Sequence, residues 1–267
     1  MSDKYDLEAG PDPATFAAAE PEPDIDEETD GPVYAVGVGP GNPEYLTPRG
    51  ERAIREADVV VGFTTVVEFI EDETDADLLT CGYKDEAEAL EEFGERVAAG
   101  ESGTAVAMGD PNHSGYQFVG KVQDAVERHD SDVPVRVVPG ISSLQLAASR
   151  ARTPMEDTEF VTLHKSGDLE SDMDRLAAAV NDRHLLVLPR PYDRMPGDIA
   201  TLLLEEGAEP DLEALVLEKL THEDEQIHRF TLAELAAHAG GSGKEDTPFS
   251  DLVVLAVRRP VAAGRSS

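Results

Sequence analysis

Basic residues are scarce in this sequence. Lysine and arginine together number 22 against 56 aspartates and glutamates, giving a formal net charge of −34 and a pI near 4.3. A surface of that sign repels phosphate backbones and anionic lipids, which excludes nucleic acid and membrane surfaces as natural partners. There is one cysteine, Cys81, so neither an internal disulfide nor a cysteine-rich zinc site can be built. The seven histidines show no His-x-x-x-His or comparable ligand spacing, and no protein-bound metal is expected. Aromatics make up 5 % of the chain, and mean hydropathy is −0.33. No apolar stretch approaches the roughly 18 uncharged residues of a membrane span. The N-terminus lacks the basic region followed by an apolar run that marks a secretory signal. These absences predict a soluble, cytoplasmic protein.

The acids that are present are spread along the whole chain. That distribution fits a proteome adapted to molar salt better than a special acidic function. At ~1 M salt the Debye length is about 3 Å, so such a surface repels itself little and would not keep out an anionic substrate.

Residues 1–31 are rich in Asp, Glu, Pro and Ala and cannot bury enough apolar surface to offset chain entropy, which predicts a disordered acidic tail. From Val33 the pattern changes. The runs VYAVGV, DVVVG, TAVAM, VRVV, FVTL, HLLVL and DLVVLAV alternate with helical segments. Runs apolar on both faces and separated by helices predict an α/β fold with parallel or mixed sheets. Thr47-Pro48 reads as an N-cap followed by proline at the first helical position. Leu90, Phe93 and Val97 share a helix face that Gly100 can end, and Ile199, Leu202 and Leu203 form another stripe before Gly207. Ser142 and Gln145 have the spacing of a capping box. LVLEKLTHEDEQIHRF reads as a hairpin with a polar turn near Thr221 to Asp224. The expectation is therefore a two-domain α/β protein. A mostly parallel N-terminal sheet would span 32–152, a mixed C-terminal sheet 153–258, and a short tail 259–267. A cleft between the two domains would be the default ligand site.

Four loops at predicted strand ends carry the chemistry. In VGVGPGNPEYLT, Gly37, Gly39 and Gly41 permit a tight turn and close backbone approach to a ligand. A dinucleotide fold fits poorly, because the third glycine of G-x-G-x-x-G would fall on Asn42. The second strand also ends in Gly62 and Phe63, where a ribose-binding acid should stand. In AVAMGDPNHSGY, Gly109-Asp110-Pro111 forms a turn at the carboxyl edge of the sheet; Asp110 could meet a ligand or simply hydrogen-bond the turn. In VRVVPGISSLQLAASRA, a helix opens at Ser142 and Ser143, and its free amides suit a carboxylate. One of the two serines suffices as a cap. FVTLHKSG places His164 and Lys165 at a strand end. With Arg190 and Lys219 they gather cations at strand ends in a chain poor in base, as a polycarboxylate ligand would need.

These loops, in this order, resemble the tetrapyrrole (corrin/porphyrin) methylase family, the class III methyltransferases. Within it, PGISSLQLAASRARTPMEDTEFVTLHKSG and LEKLTHEDEQI are similar to the cobalt-precorrin-7 (C(5))-methyltransferases of cobalamin biosynthesis. The resemblance covers roughly Val33 to Val257. It implies a homodimer that binds S-adenosylmethionine as cosubstrate in the interdomain cleft. Pro40, Gly109, Asp110, His113, Ser142, Ser143, Glu218 and Pro248 would contact the cosubstrate, and Lys165, Arg190 and Lys219 the carboxylates of a tetrapyrrole. His164 would accept a proton after methyl transfer. The decarboxylating methyltransferase often fused to such enzymes would be a separate partner here. Methylation of another precorrin position or of uroporphyrinogen is the alternative within the family. A nicotinamide oxidoreductase is the alternative from another class, and a ligand-binding regulator without catalysis a third.

Overall fold

The structure, a computed structural model, describes residues 31, 33–129, 133–240 and 243–260. The expected N-terminal tail before residue 31 and most of the C-terminal tail lie outside the described residues. The chain divides into two compact units between Ser142 and Ser143.

The first unit is built on five parallel strands in the order β3-β2-β4-β1-β5. They are β1 (Val33–Gly37), β2 (Val59–Phe63), β3 (Asp77–Cys81), β4 (Gly103–Ala107) and β5 (Val135–Val138). Helices α1 (Pro48–Arg55), α2 (Thr64–Val67), α3 (Glu86–Ala98) and α4 (Tyr116–His129) connect them. The continuous apolar runs of β2 and β4 are buried on both faces, as central strands of a parallel sheet must be. Val33, Val59, Val61 and Ala105 pack against Leu90 and Phe93 of α3 and Phe118 and Val122 of α4. Val36, Val60 and Val106 point the other way, towards Ala53 and Ile54 of α1. Neighbouring strands β1 and β4 thus send their helices to opposite faces. The carboxyl edge of the sheet between these two strands is where ligands of open α/β sheets bind.

Local signals act as the sequence predicts. Thr47 accepts a hydrogen bond from the Gly50 amide at 3.1 Å and caps α1, with Pro48 at its first position. β3 is the strand that the sequence pattern misses. It lies at the sheet edge with Asp77 and Thr80 exposed, so its residues carry neither the apolar run nor the alternation that marks a strand.

The second unit holds a mixed sheet, β6-β7-β10-β8-β9, in which β6 and β7 are parallel and the remaining pairs antiparallel. Its strands are β6 (Thr158–Thr162), β7 (His184–Leu188), β8 (Glu213–Glu218), β9 (Gln226–Thr231) and β10 (Val253–Arg258). Its helices are α5 (Ser143–Ala151), α6 (Glu170–Ala179), α7 (Pro196–Glu205) and α8 (Leu232–Ala236). The β8–β9 hairpin pairs Glu218 with Gln226 and closes through the polar turn read in the sequence. The division between the units falls ahead of the boundary expected at 152–153. Helix α5 packs on β7 and β10 of the second sheet, with Leu144 and Ala147 buried. Its apolar face, rather than the Thr153-Pro154 break, decides which unit it joins.

Gly140 follows β5 where three backbone segments meet. A Cβ there would lie 2.1 Å from the Gly109 carbonyl oxygen and 2.6 Å from that of Gly37. Both obstacles are main chain and cannot swing aside, so Gly140→Ala should destabilise the protein by about 3 kcal/mol, the upper end for overpacking. Urea denaturation followed by circular dichroism measures this. An unchanged midpoint would show that the loops give way freely.

Candidate active site

In the first unit the loops after β1, β4 and β5 are drawn together at the carboxyl edge of the sheet. Gly37, the last residue of β1, comes so close to its neighbours that a Cβ would stand 2.5 Å from the Gly109 oxygen and 2.7 Å from the Gly140 nitrogen. Gly39 and Gly109 pair as a short antiparallel bridge, with N–H···O distances of 3.2 and 2.7 Å. Their φ angles of +85° and +67° lie in the left-handed region that favours glycine. Pro40, at the tip of the first loop, is buried.

Asp110 clasps this cluster. One carboxylate oxygen accepts from the Asn112 amide at 2.8 Å and the other from the Gly140 amide at 3.1 Å. Asp110 does hydrogen-bond the turn, and this leaves its reading as a ligand contact open, because a residue that bonds the turn also sets the shape of the loop. His113 lies one turn further on, its amide bonded to the Asp110 carbonyl. Burial holds its imidazole below the usual value, an effect the nearby Asp110 carboxylate partly offsets. Ser142 is buried and stands directly before the first residue of α5, Ser143. In this unit the structure brings together Pro40, Gly109, Asp110, His113 and Ser142.

The second unit has a concave pocket of about 730 Å³, lined in part by Tyr192, Glu218, Lys219, His228, Pro248 and Asp251. Glu218, the last residue of β8, is buried. One of its oxygens accepts from the Ser250 amide at 2.6 Å, and the other lies 2.8 Å from His228 Nε2. It ties the ends of β8, β9 and β10 together. The backbone beyond it is strained, with φ of +49° at Lys219 and +73° at Thr221, and Tyr192 across the pocket has +57°. Such conformations persist in non-glycine residues only where surrounding contacts enforce them. Here Lys219 donates its amide to Leu252 and pairs its ammonium with Asp224. The Thr221 amide bonds Glu225, whose other oxygen takes Arg150 of α5 at 3.2 Å. The rings of His228, Phe230, His238 and Phe249 pack against one another with centroids 5.3–6.4 Å apart.

His164 sits in the loop after β6, half-buried. Its imidazole is held below its usual pKa, first by burial and then by the Arg190 charge, with Asp251 acting in the opposite sense. Lys165 pairs with the buried carboxylate of Asp172 at 2.7 Å, on the first turn of α6. From the sequence, Arg190 is expected to be a ligand of substrate carboxylates. It is buried and directs its guanidinium at the carbonyls of Leu163, Lys165 and Gly167. In a chain so rich in acid and carbonyl oxygen, a cation near a strand end finds internal acceptors as readily as a ligand. Tyr192, His228 and Asp251 were not singled out from the sequence. No local motif marks them, and only the convergence of β7, β9 and β10 gathers them around the pocket. Among the described residues there is no group of three or more His, Cys, Asp or Glu arranged to hold a metal ion, and no helix long and apolar enough to cross a membrane.

Comparison with known proteins gives the geometry a family. Residues 32–236 match the model of the Tetrapyrrole (Corrin/Porphyrin) Methylases. The chain is 30 % identical over 205 residues to the probable cobalt-precorrin-7 C(5)-methyltransferase of Methanocaldococcus jannaschii, covering 76 % of this chain and 91 % of that protein. It is 29 % identical to the siroheme synthase of Gluconacetobacter diazotrophicus, covering 80 % of this chain but 48 % of that longer protein. Among solved structures, the methyltransferase CobJ superposes with a TM-score of 0.66 at 23 % identity, covering 89 % of this chain and 97 % of that one. The uroporphyrin-III C-methyl transferase from Thermus thermophilus, solved with S-adenyl homocysteine, gives 0.62 at 26 % identity, covering 85 % and 97 %. Family model, relatives and fold agree with one another, and the chain belongs to the tetrapyrrole methylase family of S-adenosylmethionine-dependent C-methyltransferases.

Proposed function

We propose that this protein transfers a methyl group from S-adenosylmethionine to carbon C(5) of cobalt-precorrin-7, a step of cobalamin biosynthesis. The ring position is supported by the likeness to the Methanocaldococcus jannaschii protein along nearly its whole length. The structural observation that supports the cosubstrate is the cluster of Gly37, Gly109 and Gly140 clasped by Asp110. Glycines at these positions let the three loops pack backbone to backbone, and we assign their main-chain groups to a sulfonium nucleoside bearing an amino-acid tail. The amides opening α5 at Ser143, beside Ser142, suit the carboxylate of that tail. In the second unit, Glu218 and Pro248 shape the pocket wall.

When bound, S-adenosylmethionine supplies an electrophilic methyl on sulfur, whose departure leaves a neutral thioether. The chain's own residues have three tasks. The loops must fix the methyl about 3 Å from the attacking carbon, the positioning that accounts for most of the rate in such a displacement. Lys219 on the pocket lining, paired with the exposed Asp224, would take a peripheral carboxylate of the macrocycle, and Lys165, paired with Asp172, a second one. His164, kept neutral by its surroundings, would accept the proton released from the newly methylated carbon. We read the acidic surface as that of a protein working in molar salt, and the active form as a homodimer. Light scattering in molar KCl tests both.

Calorimetry in molar KCl with S-adenosylmethionine, S-adenosylhomocysteine and NAD tests the cosubstrate. Micromolar binding of the first two without NAD is expected; binding of NAD alone would return the glycine loop to a dinucleotide role. Turnover with cobalt-precorrin-7 but not uroporphyrinogen III is the expected specificity, and binding without turnover of any tetrapyrrole would point to a regulator. Asp110→Ala removes acceptors from two main-chain amides, each such bond contributing about 1.5–3 kcal/mol. Affinity for S-adenosylhomocysteine should fall about tenfold or more, and unchanged affinity would detach Asp110 from the site.

The depressed pKa of His164 gives a signed pH dependence. A base whose folded pKa lies below the ordinary imidazole value is already deprotonated above that value. The rate should therefore be flat above about pH 6.5 and fall only as pH drops through the lowered pKa. His164→Ala should remove this acid limb and slow turnover about 100-fold. A full rate with the limb intact would exclude His164 as the acceptor.

A further inference from the structure

The buried cation next to His164 has more partners than its position requires. Arg190 is 6 % exposed. Its Nε donates to the Leu163 carbonyl at 3.3 Å, and its Nη2 donates to those of Lys165 and Gly167 at 2.8 Å each. Its Nη1 donates to Asp193 Oδ2 at 3.3 Å. Four of the five N–H donors of the guanidinium are thereby engaged. The turn that carries it is folded on itself: the amides of Asp193 and Arg194 both bond the Arg190 carbonyl, and Asp193 also pairs with Arg194 at 3.2 Å. Between them Tyr192 adopts its left-handed conformation on the pocket wall.

We infer that Arg190 is a positioning residue: its guanidinium fastens the 163–167 loop, which carries His164 and Lys165, to the 190–194 turn, which carries Tyr192. The two segments follow adjacent parallel strands, β6 and β7, and have no shared secondary structure beyond them. A planar fork of donors reaches three carbonyls and a carboxylate at once, whereas the compact ammonium of lysine, on a shorter reach, cannot. The buried charge is balanced by Asp193 and by the three carbonyl dipoles, which is the condition for keeping it out of water. Arg190 thus acts on the reaction through His164 and Tyr192 and not by touching the macrocycle. Its charge also contributes to keeping His164 neutral, as burial does.

The test compares Arg190→Lys and Arg190→Met. The activity arm rests on the methyl-transfer reading and uses the tetrapyrrole that the wild-type enzyme methylates; the spectroscopic arm does not rest on it. Both variants should lose about 10- to 100-fold in kcat, the cost of a displacement on the order of 1 Å at the reacting groups, with KM for the tetrapyrrole unchanged. In ligand-free protein, the NMR signals of His164 and Tyr192 should move in both variants, and the His164 titration should shift upward in Arg190→Met. A lysine variant with nearly full kcat and a methionine variant defective in KM alone would overturn the inference in favour of a direct carboxylate ligand. If neither variant folds, the wild-type protein decides. Its Arg190 Nη signals should be resolved by hindered rotation and stay in place when uroporphyrin III, a porphyrin octacarboxylate, is added. A shift of those signals on addition would overturn the assignment.

Discussion

Three main-chain segments touch at Gly37, Gly109 and Gly140, and they can do so only because no Cβ stands between them. A Cβ at Gly37 or Gly140 would meet atoms at 2.1–2.8 Å, closer than a Cβ packs without movement, whereas Gly109 is required by its φ of +67°. This contact forces the loops after β1, β4 and β5 into one cluster at the edge where β1 and β4 send their helices to opposite faces. Asp110 then locks the arrangement by giving one oxygen to its own turn and the other to Gly140. The shape of the loop cluster in the first unit is a consequence of backbone packing more than of any reactive side chain. That suits a displacement reaction, in which position outweighs acid–base machinery.

The second unit solves the same problem with charge and hydrogen bonds. Glu218 joins the ends of β8, β9 and β10; Glu225 joins the strained turn after β8 to Arg150 of α5; Arg190 joins the loops after β6 and β7. Each of these groups satisfies main-chain atoms that would otherwise lack partners in a crowded region. Three of the four non-glycine residues with positive φ in the described chain, Tyr192, Lys219 and Thr221, fall in the loops that these ties enforce. Strain gathered at one pocket indicates that its shape is set by the ties around it.

Scarcity of base governs what the cations do. With 22 lysines and arginines among 56 acids, nearly any cation lies close to a carboxylate. Lys165 finds Asp172, Lys219 finds Asp224, and Arg175 bridges Glu159 and Asp172. Exposed pairs of this kind contribute little to stability in salt. The buried members, Asp172 and Arg190, fix geometry.

The parallel character of the first sheet, the hairpin of the second and the turns proposed for the site were legible in the sequence. Each rests on a signal carried by adjacent residues: continuous apolar runs, a threonine cap before proline, glycines where the backbone turns left-handed. The family could be read for the same reason, since its motifs are short and contiguous. Edge strand β3 was not legible, because exposed Asp77 and Thr80 erase the periodicity on which a strand assignment depends. The allegiance of α5 was decided by which sheet its apolar face could cover, a choice that helix periodicity does not contain. The role of Arg190 could not be read from its neighbours Pro189 and Pro191. A guanidinium near a strand end looks the same in sequence whether it awaits a carboxylate or binds carbonyls 23 to 27 residues away, and only folding brings Leu163, Lys165 and Gly167 within its reach.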